Sequence, residues 1–222
     1  MTSRKLTLLS LLASMLSIAL PAAAAQGAAT FSAPLESLEG ERVGSDRFVV
    51  AGIEVDCDAV TYRGTVPIGS RSLALEPAFD KCIGKALTGL PADFYQELCD
   101  FVLRDLQPRA GGERWAARVD IECHGEWDDV GWDLFETEWG YSFGRTLCGL
   151  RIPEQDGVGT ALLRNTAGDR AGIEVRWQLD DFEYEVFEPS LVCGAFAGTM
   201  QGDGLYEGRA TVDGVEIVAG EG

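Results

Sequence analysis

Apolar residues recur at every second position through several stretches of the chain. Phe48 and Val50 alternate with polar neighbours, Ile53, Val55 and Cys57 continue the pattern, and Leu73 and Leu75 repeat it. The longest clean run is Trp115, Ala117, Val119, Ile121 and Cys123; later come Cys148, Leu150 and Ile152, then Ile173, Val175, Trp177 and Leu179. Successive side chains of a strand point to opposite faces, so a period of two reads as strands with one buried face. The last run changes phase at Asp180 and Asp181 before Phe182, Tyr184 and Val186, as at a bulge or sharp bend. Pro67, Gly69, Pro153, Gly157 and Pro189 separate the runs, and Asp213-Gly214 is a favoured hairpin turn. Ala92 to Leu98 is the sole stretch with a helical claim. Strands spaced by turns, without alternating helices, predict an all-β fold: a single antiparallel β-sandwich or barrel over residues 39–222. No internal repeat or linker divides it.

The start of the chain reads differently. Arg4 and Lys5 precede an apolar run from Leu6 to Leu20, and Pro21 leads into four alanines, Ala22 to Ala25. A basic start, an apolar run too short to span a bilayer and small residues at its end make residues 1–25 a signal peptide, with cleavage expected after Ala25. Residues 26–38, rich in Ala, Ser and Gly without a clear period, are expected to be a flexible leader. No later stretch is apolar enough for a membrane helix. These features predict a secreted protein, extracellular or associated with the cell envelope.

Cysteine usage agrees with export. Cys57, Cys82, Cys99, Cys123, Cys148 and Cys193 all follow the signal segment, and an even count in an exported chain reads as a framework of three disulfides. No CxxC pair or histidine partner supports zinc. Six cysteines allow 15 pairings. Strand logic prefers Cys99 with Cys123, because one opens and the other closes an apolar stretch on either side of the turn Pro108 to Gly112. The same habit pairs Cys57 with Cys82 and Cys148 with Cys193.

Charge excludes one large class of partners. With 18 Lys plus Arg against 36 Asp plus Glu, the 222-residue chain carries −18, and removing residues 1–25 leaves −20. A nucleic-acid ligand needs a basic face, so none is expected; partners should be neutral or cationic. A hydrophobic fraction of 46% is far above that of an unstructured acidic chain, so a packed core is expected.

Motifs for catalysis are absent. His124 is the only histidine, beside a cysteine expected in a disulfide, and there is no GxSxG, HExxH, P-loop or GxGxxG. No EF-hand loop occurs, and neither metal nor cofactor is expected. A carboxylate-dependent polysaccharide hydrolase is the enzymatic alternative, since it needs only two acids at the right separation. The run Asp180, Asp181, Glu183, Glu185 and Glu188 alternates with apolar residues and reads instead as the wet face of a strand. The aromatic cluster is more distinctive: Trp115, Trp127, Trp132 and Trp139, with Phe135, Tyr141 and Phe143, interrupted by Asp128, Asp129, Glu136 and Glu138. Aromatic faces beside carboxylates bind sugar rings or cations. Trp115 belongs to the core side of its strand; Trp127, Trp132, Trp139 and Tyr141 are the candidate binding residues, for a glycan or an envelope protein. Asn165, the only asparagine, is not in a glycosylation sequon.

The cysteine contexts resemble those of a group of uncharacterised exported six-cysteine proteins of actinobacteria. Gly52 to Cys57 is followed by Thr61-Tyr62-Arg63-Gly64-Thr65, Cys99 precedes Phe101, Cys148 precedes Leu150, Ile152, Pro153 and Gln155, and Cys193 comes before Tyr206, Gly208 and Val212. The resemblance spans about residues 45–215 and implies an exported, β-rich, disulfide-bonded protein. It implies no activity and no functional residues. The chain departs from the group in being richer in tryptophan and acid between Cys123 and Cys148. The expected function is binding or structural support at or outside the cell envelope.

Overall fold

The structure is a computed structural model that describes residues 27–33, 37–66, 69–85, 89–95, 99–111, 113–124, 129–135, 146–168, 170–188 and 199–220. Its strands are β1 (Gly27–Ser32), β2 (Leu38–Arg42), β3 (Asp46–Val50), β4 (Ile53–Thr65), β5 (Leu73–Gly84), β6 (Leu90–Tyr95), β7 (Cys99–Pro108), β8 (Trp115–Cys123), β9 (Asp129–Phe135), β10 (Thr146–Pro153), β11 (Gln155–Asn165), β12 (Gly172–Glu188), β13 (Thr199–Asp213) and β14 (Glu216–Gly220). The described residues contain no helix. Ala92 to Leu98, the one stretch with a helical claim, is corrected accordingly. Leu90–Tyr95 is strand β6, held between β5 and β9 by antiparallel pairing, and 96–98 lie outside the described residues.

The sheet closes. β4, β5, β7, β8, β11, β12 and β13 pair in that order, and β13 returns to β4 through β2 and β3, making an eight-stranded antiparallel barrel. Closure removes the exposed edges that an open sheet would leave. Of the two architectures the alternation allows, it is therefore the barrel. The long strands change partner along their length. β12 keeps β13 on one edge, while its other edge pairs with β11 at Ile173 to Leu179 and with β10 at Glu185 to Glu188. β5 does the same, passing from β7 at Leu73 to Leu75 to β6 at Cys82 to Gly84. Inward and outward faces exchange between these regions: Leu179 and Phe182 are both buried across Asp180-Asp181, as are Phe79 and Cys82 across Asp80-Lys81. Asp181 and Lys81 sit at φ 59° and 54° there. The phase change read at Asp180 and Asp181 is this bend; its counterpart in β5 escaped the pattern.

Part of the segment 26–38 is paired into the fold. Gly27–Ser32 is β1, paired antiparallel with β14, and its Phe31 is completely buried. Asn165 ties the same corner by accepting from Ile217 N at 2.8 Å and donating to Ile217 O at 2.9 Å. Burying Phe31 contributes roughly 2 kcal/mol, a gain that alternation alone does not reveal in so short a strand. The Asp213-Gly214 turn also differs from expectation. Gly214 (φ 84°) turns the chain out of the barrel into β14, which pairs with β1 rather than back onto β13.

Two disulfides join residues directly opposite each other in antiparallel pairs, Cys57–Cys82 across β4 and β5 and Cys99–Cys123 across β7 and β8, with Cα separations of 3.9 and 4.1 Å. Both are the pairs read from strand logic. Cys148 is also disulfide-bonded; Cys193, the partner expected for it, lies outside the described residues. Disulfides of this kind belong to an oxidising, non-cytoplasmic compartment. Among the described residues no helix is long and apolar enough to cross a membrane. Among the described residues the barrel wall is polar outside and apolar inside; the large hydrophobic side chains left exposed among them are Val43, Ile83, Leu162 and, in β14, Val218. A barrel that faces lipid shows the opposite polarity.

Candidate functional site

Eight strands leave an interior just wide enough for side chains to fill. The inward residues here are large. Phe48 stacks on Tyr206 at 4.4 Å between centroids, Tyr62 stacks on Trp177 at 5.9 Å, and Phe101 meets Trp177 edge-on at 5.6 Å. One polar chain runs through this core. Tyr206 Oη donates to Asp46 Oδ1 at 2.7 Å and lies 2.9 Å from Tyr62 Oη. Asp46 is fully buried, its Oδ2 has no hydrogen-bond partner among the described residues, and Arg42 Nε stands 4.0 Å from it. Burial pushes the Asp46 carboxyl up to about 6, against the lowering effect of the Tyr206 hydrogen bond and Arg42. Burial likewise holds the Tyr62 and Tyr206 hydroxyls above the ordinary tyrosine value, so both remain protonated donors. Its members Asp46, Tyr62 and Tyr206 are all buried, and the chain organises the core.

The aromatic candidates are only partly visible. Trp127, Trp139 and Tyr141 lie outside the described residues; Trp132 lies in β9, with its backbone registered against Phe94 of β6 and Leu150 of β10. Trp115 is buried, as expected. His124 is exposed and 3.1 Å from Asp100 Oδ2. Among the described residues no group of three His, Cys, Asp or Glu side chains could hold a metal ion. The acidic run of β12 has its expected wet face: Asp180, Asp181 and Glu183 are exposed while Phe182, Tyr184 and Val186 are buried. With Asp156, those acids line a surface groove of about 550 Å³ at the bend. All four are exposed.

A different surface gathers unpaired charge, and pattern reading missed it. On the outer wall of β11, β12 and β13, a groove of about 480 Å³ is lined by Arg114, Arg164, Arg176 and Arg209 with Leu162 and Val43. A second groove of about 370 Å³ continues from it and shares Val43, Arg176 and Arg209. Register builds a row across the strands: Leu162 of β11 opposite Arg176 of β12, Arg176 opposite Arg209 of β13, and Val43 N donating to Arg209 O at 2.8 Å. Arg164 is neutralised by a two-pronged contact with Glu174, Nε to Oε2 and Nη2 to Oε1, both 2.8 Å. Arg114, Arg176 and Arg209 are exposed, and none makes an ion pair with a described residue.

Like charges placed opposite each other in a sheet repel, so the Arg176/Arg209 pair costs stability unless an anion lies between. The same barrel shows such an anion elsewhere. Arg104 of β7 is registered opposite Arg118 of β8, and between them lies the Asp120 carboxylate, whose side chain is 1% exposed. Arg104 Nε and Arg118 Nη2 each donate to Asp120 Oδ2 at 3.1 Å, and Gly157 N donates to Oδ1 at 2.6 Å. Arg104 also bonds Glu122. The chain supplies a carboxylate to one arginine pair and leaves the other facing solvent. Both arginines of the open pair occupy the polar positions of well-alternating strands, so sequence marks them only as outward; their juxtaposition depends on the β12–β13 register.

The chain matches no known family model, no curated protein and no solved structure.

Proposed function

We propose that the protein is an exported binding protein that captures an anionic ligand on the outer wall of its barrel, at Arg114, Arg176 and Arg209. One observation carries this reading: three arginines without an ion-pair partner among the described residues share one groove in a chain of net charge −18, where carboxylates to neutralise them are plentiful. This revises the expectation from composition that partners be neutral or cationic, because net charge averages over faces while a ligand meets one of them. The large aromatic side chains stacked inside the barrel support an external site. Export is supported by the basic and apolar start of the chain together with its disulfides.

The experiment is equilibrium titration of the mature protein with small anions at low salt, read as a rise in melting temperature. Citrate, acetate, octanoate, phosphate and octyl sulfate form the panel. At least one of them should stabilise the protein in a salt-sensitive manner, and the double substitution Arg176→Gln with Arg209→Gln should abolish the shift. If no anion stabilises the protein, or if the double variant responds as the parent does, the reading is wrong.

A further inference from the structure

We infer that the row Leu162, Arg176, Arg209 and Val43 takes a single carboxylate carried on an apolar body. This inference rests on the anion-binding reading above and names the class of anion.

The carboxylate follows from the barrel's own example. Two arginines at registered positions on neighbouring strands already hold a carboxylate oxygen between them at Asp120, with 3.1 Å from each side. Arg176 and Arg209 repeat that register on β12 and β13. Glu174 and Glu207, which line the same pair of grooves, are engaged by Arg164 and Arg47, so the lining as a whole is cationic. Guanidinium groups suit phosphate and sulfate as well as carboxylate, and it is the Asp120 precedent, a carboxylate oxygen shared by two registered arginines, that names the carboxylate here.

The apolar body follows from the ends of the row. Leu162 is 41% exposed and Val43 50%, two of the four large hydrophobic side chains left exposed on the described surface. They stand on opposite flanks of the arginine pair, one on the β11 side and one beside β13. A bare anion would leave both in water; an acid with a hydrocarbon body seated on either flank would cover one of them, and burying an exposed Leu or Val surface favours binding. The groove of about 480 Å³ is large enough for such a small molecule.

The test is isothermal titration of the mature protein with octanoate, acetate, octan-1-ol and octyl sulfate, all below their aggregation thresholds. Octanoate should bind at least ten-fold more tightly than acetate, which lacks the body, and than octyl sulfate, which lacks the carboxylate. Octan-1-ol should not bind. Arg176→Gln and Arg209→Gln should each weaken octanoate at least ten-fold, and Arg176→Lys, which keeps the charge but loses the fork, should weaken it by a smaller factor. Leu162→Thr should reduce the preference for octanoate over acetate. Arg63→Gln, which changes net charge equally on another strand, should leave octanoate binding unchanged. All substituted side chains are exposed, and circular dichroism verifies that each variant folds. Equal affinity for octyl sulfate and octanoate overturns the carboxylate while leaving the anion site intact. Equal affinity for acetate and octanoate overturns the apolar body. Binding of none of the anions ends both this inference and the reading on which it rests.

Discussion

The Tyr206 hydroxyl donates to the Asp46 carboxylate across 2.7 Å inside the closed barrel. The pair lies 160 residues apart in sequence, and both members are fully buried. One carboxylate oxygen is satisfied by that bond and the other has no hydrogen-bond partner among the described residues, so ionising Asp46 carries a cost. That cost has a sign. The folded carboxyl titrates at about 6, above the roughly 3.9 of an unfolded aspartate, so the folded state holds its proton more tightly. Stability attributable to Asp46 is therefore greatest below pH 4, falls as pH rises from about 4 to about 6, and is flat above that range, with a total of about 3 kcal/mol. Asp46→Asn keeps an oxygen for Tyr206 and cannot ionise. Chemical denaturation of parent and variant at a series of pH values should give a stability difference that shifts in favour of the variant across that window. A difference independent of pH would show that Asp46 is not held protonated by burial.

Gly208 is required by the same contact. A Cβ there would stand 1.9 Å from Asp46 Oδ1 and 2.6 Å from Tyr206 Oη. Gly208→Ala must displace the hydrogen-bonded pair, at a cost of about 2 kcal/mol or more. The thermal midpoint should fall by several degrees. Gly202→Ala, where a Cβ meets nothing within 4 Å, should change it little.

The Asp120 clamp is asymmetric in burial, and its variants should be asymmetric too. Asp120 is 1% exposed at its side chain, whereas Arg104 and Arg118 are 37% and 45% exposed. Replacing both arginines by glutamine strands a buried carboxylate and should cost about 3 kcal/mol. Asp120→Asn leaves two solvated cations, keeps an acceptor for Gly157 N, and should cost about 1 to 2 kcal/mol. Urea denaturation of the two variants measures the order, and the reverse order would refute the clamp as described.

The two observed disulfides close loops of nearly equal length, with sequence separations of 25 and 24 residues. In the loop-entropy model each contributes about 3.5 kcal/mol. Cys57→Ser with Cys82→Ser should therefore destabilise about as much as Cys99→Ser with Cys123→Ser, measured as the loss of unfolding free energy in guanidinium. A much smaller loss in one pair would mean that its unfolded chain keeps the two strands together without the bond.

What the chain's own pattern determined was local. A period of two along one strand needs no knowledge of its neighbour, so Trp115 to Cys123 and Ile173 to Leu179 were legible as strands with one buried face, and the break at Asp180-Asp181 as a bend. The disulfides Cys57–Cys82 and Cys99–Cys123 were legible for a related reason: each joins strands adjacent in sequence, where one turn sets which residues oppose. Tertiary structure decided whatever depends on distant register. Pairing with β14 makes Gly27–Ser32 a strand; β5 and β9 make Leu90–Tyr95 one, although its second half falls in Ala92 to Leu98, whose local pattern carries a helical claim. Closure through β13 and β4 turns an alternating chain into a barrel instead of a sandwich. The arginine row is the extreme case. Arg176 and Arg209 are 33 positions apart in sequence and indistinguishable there from other outward residues, because a strand's pattern fixes which face a side chain takes but not which side chain lies beside it.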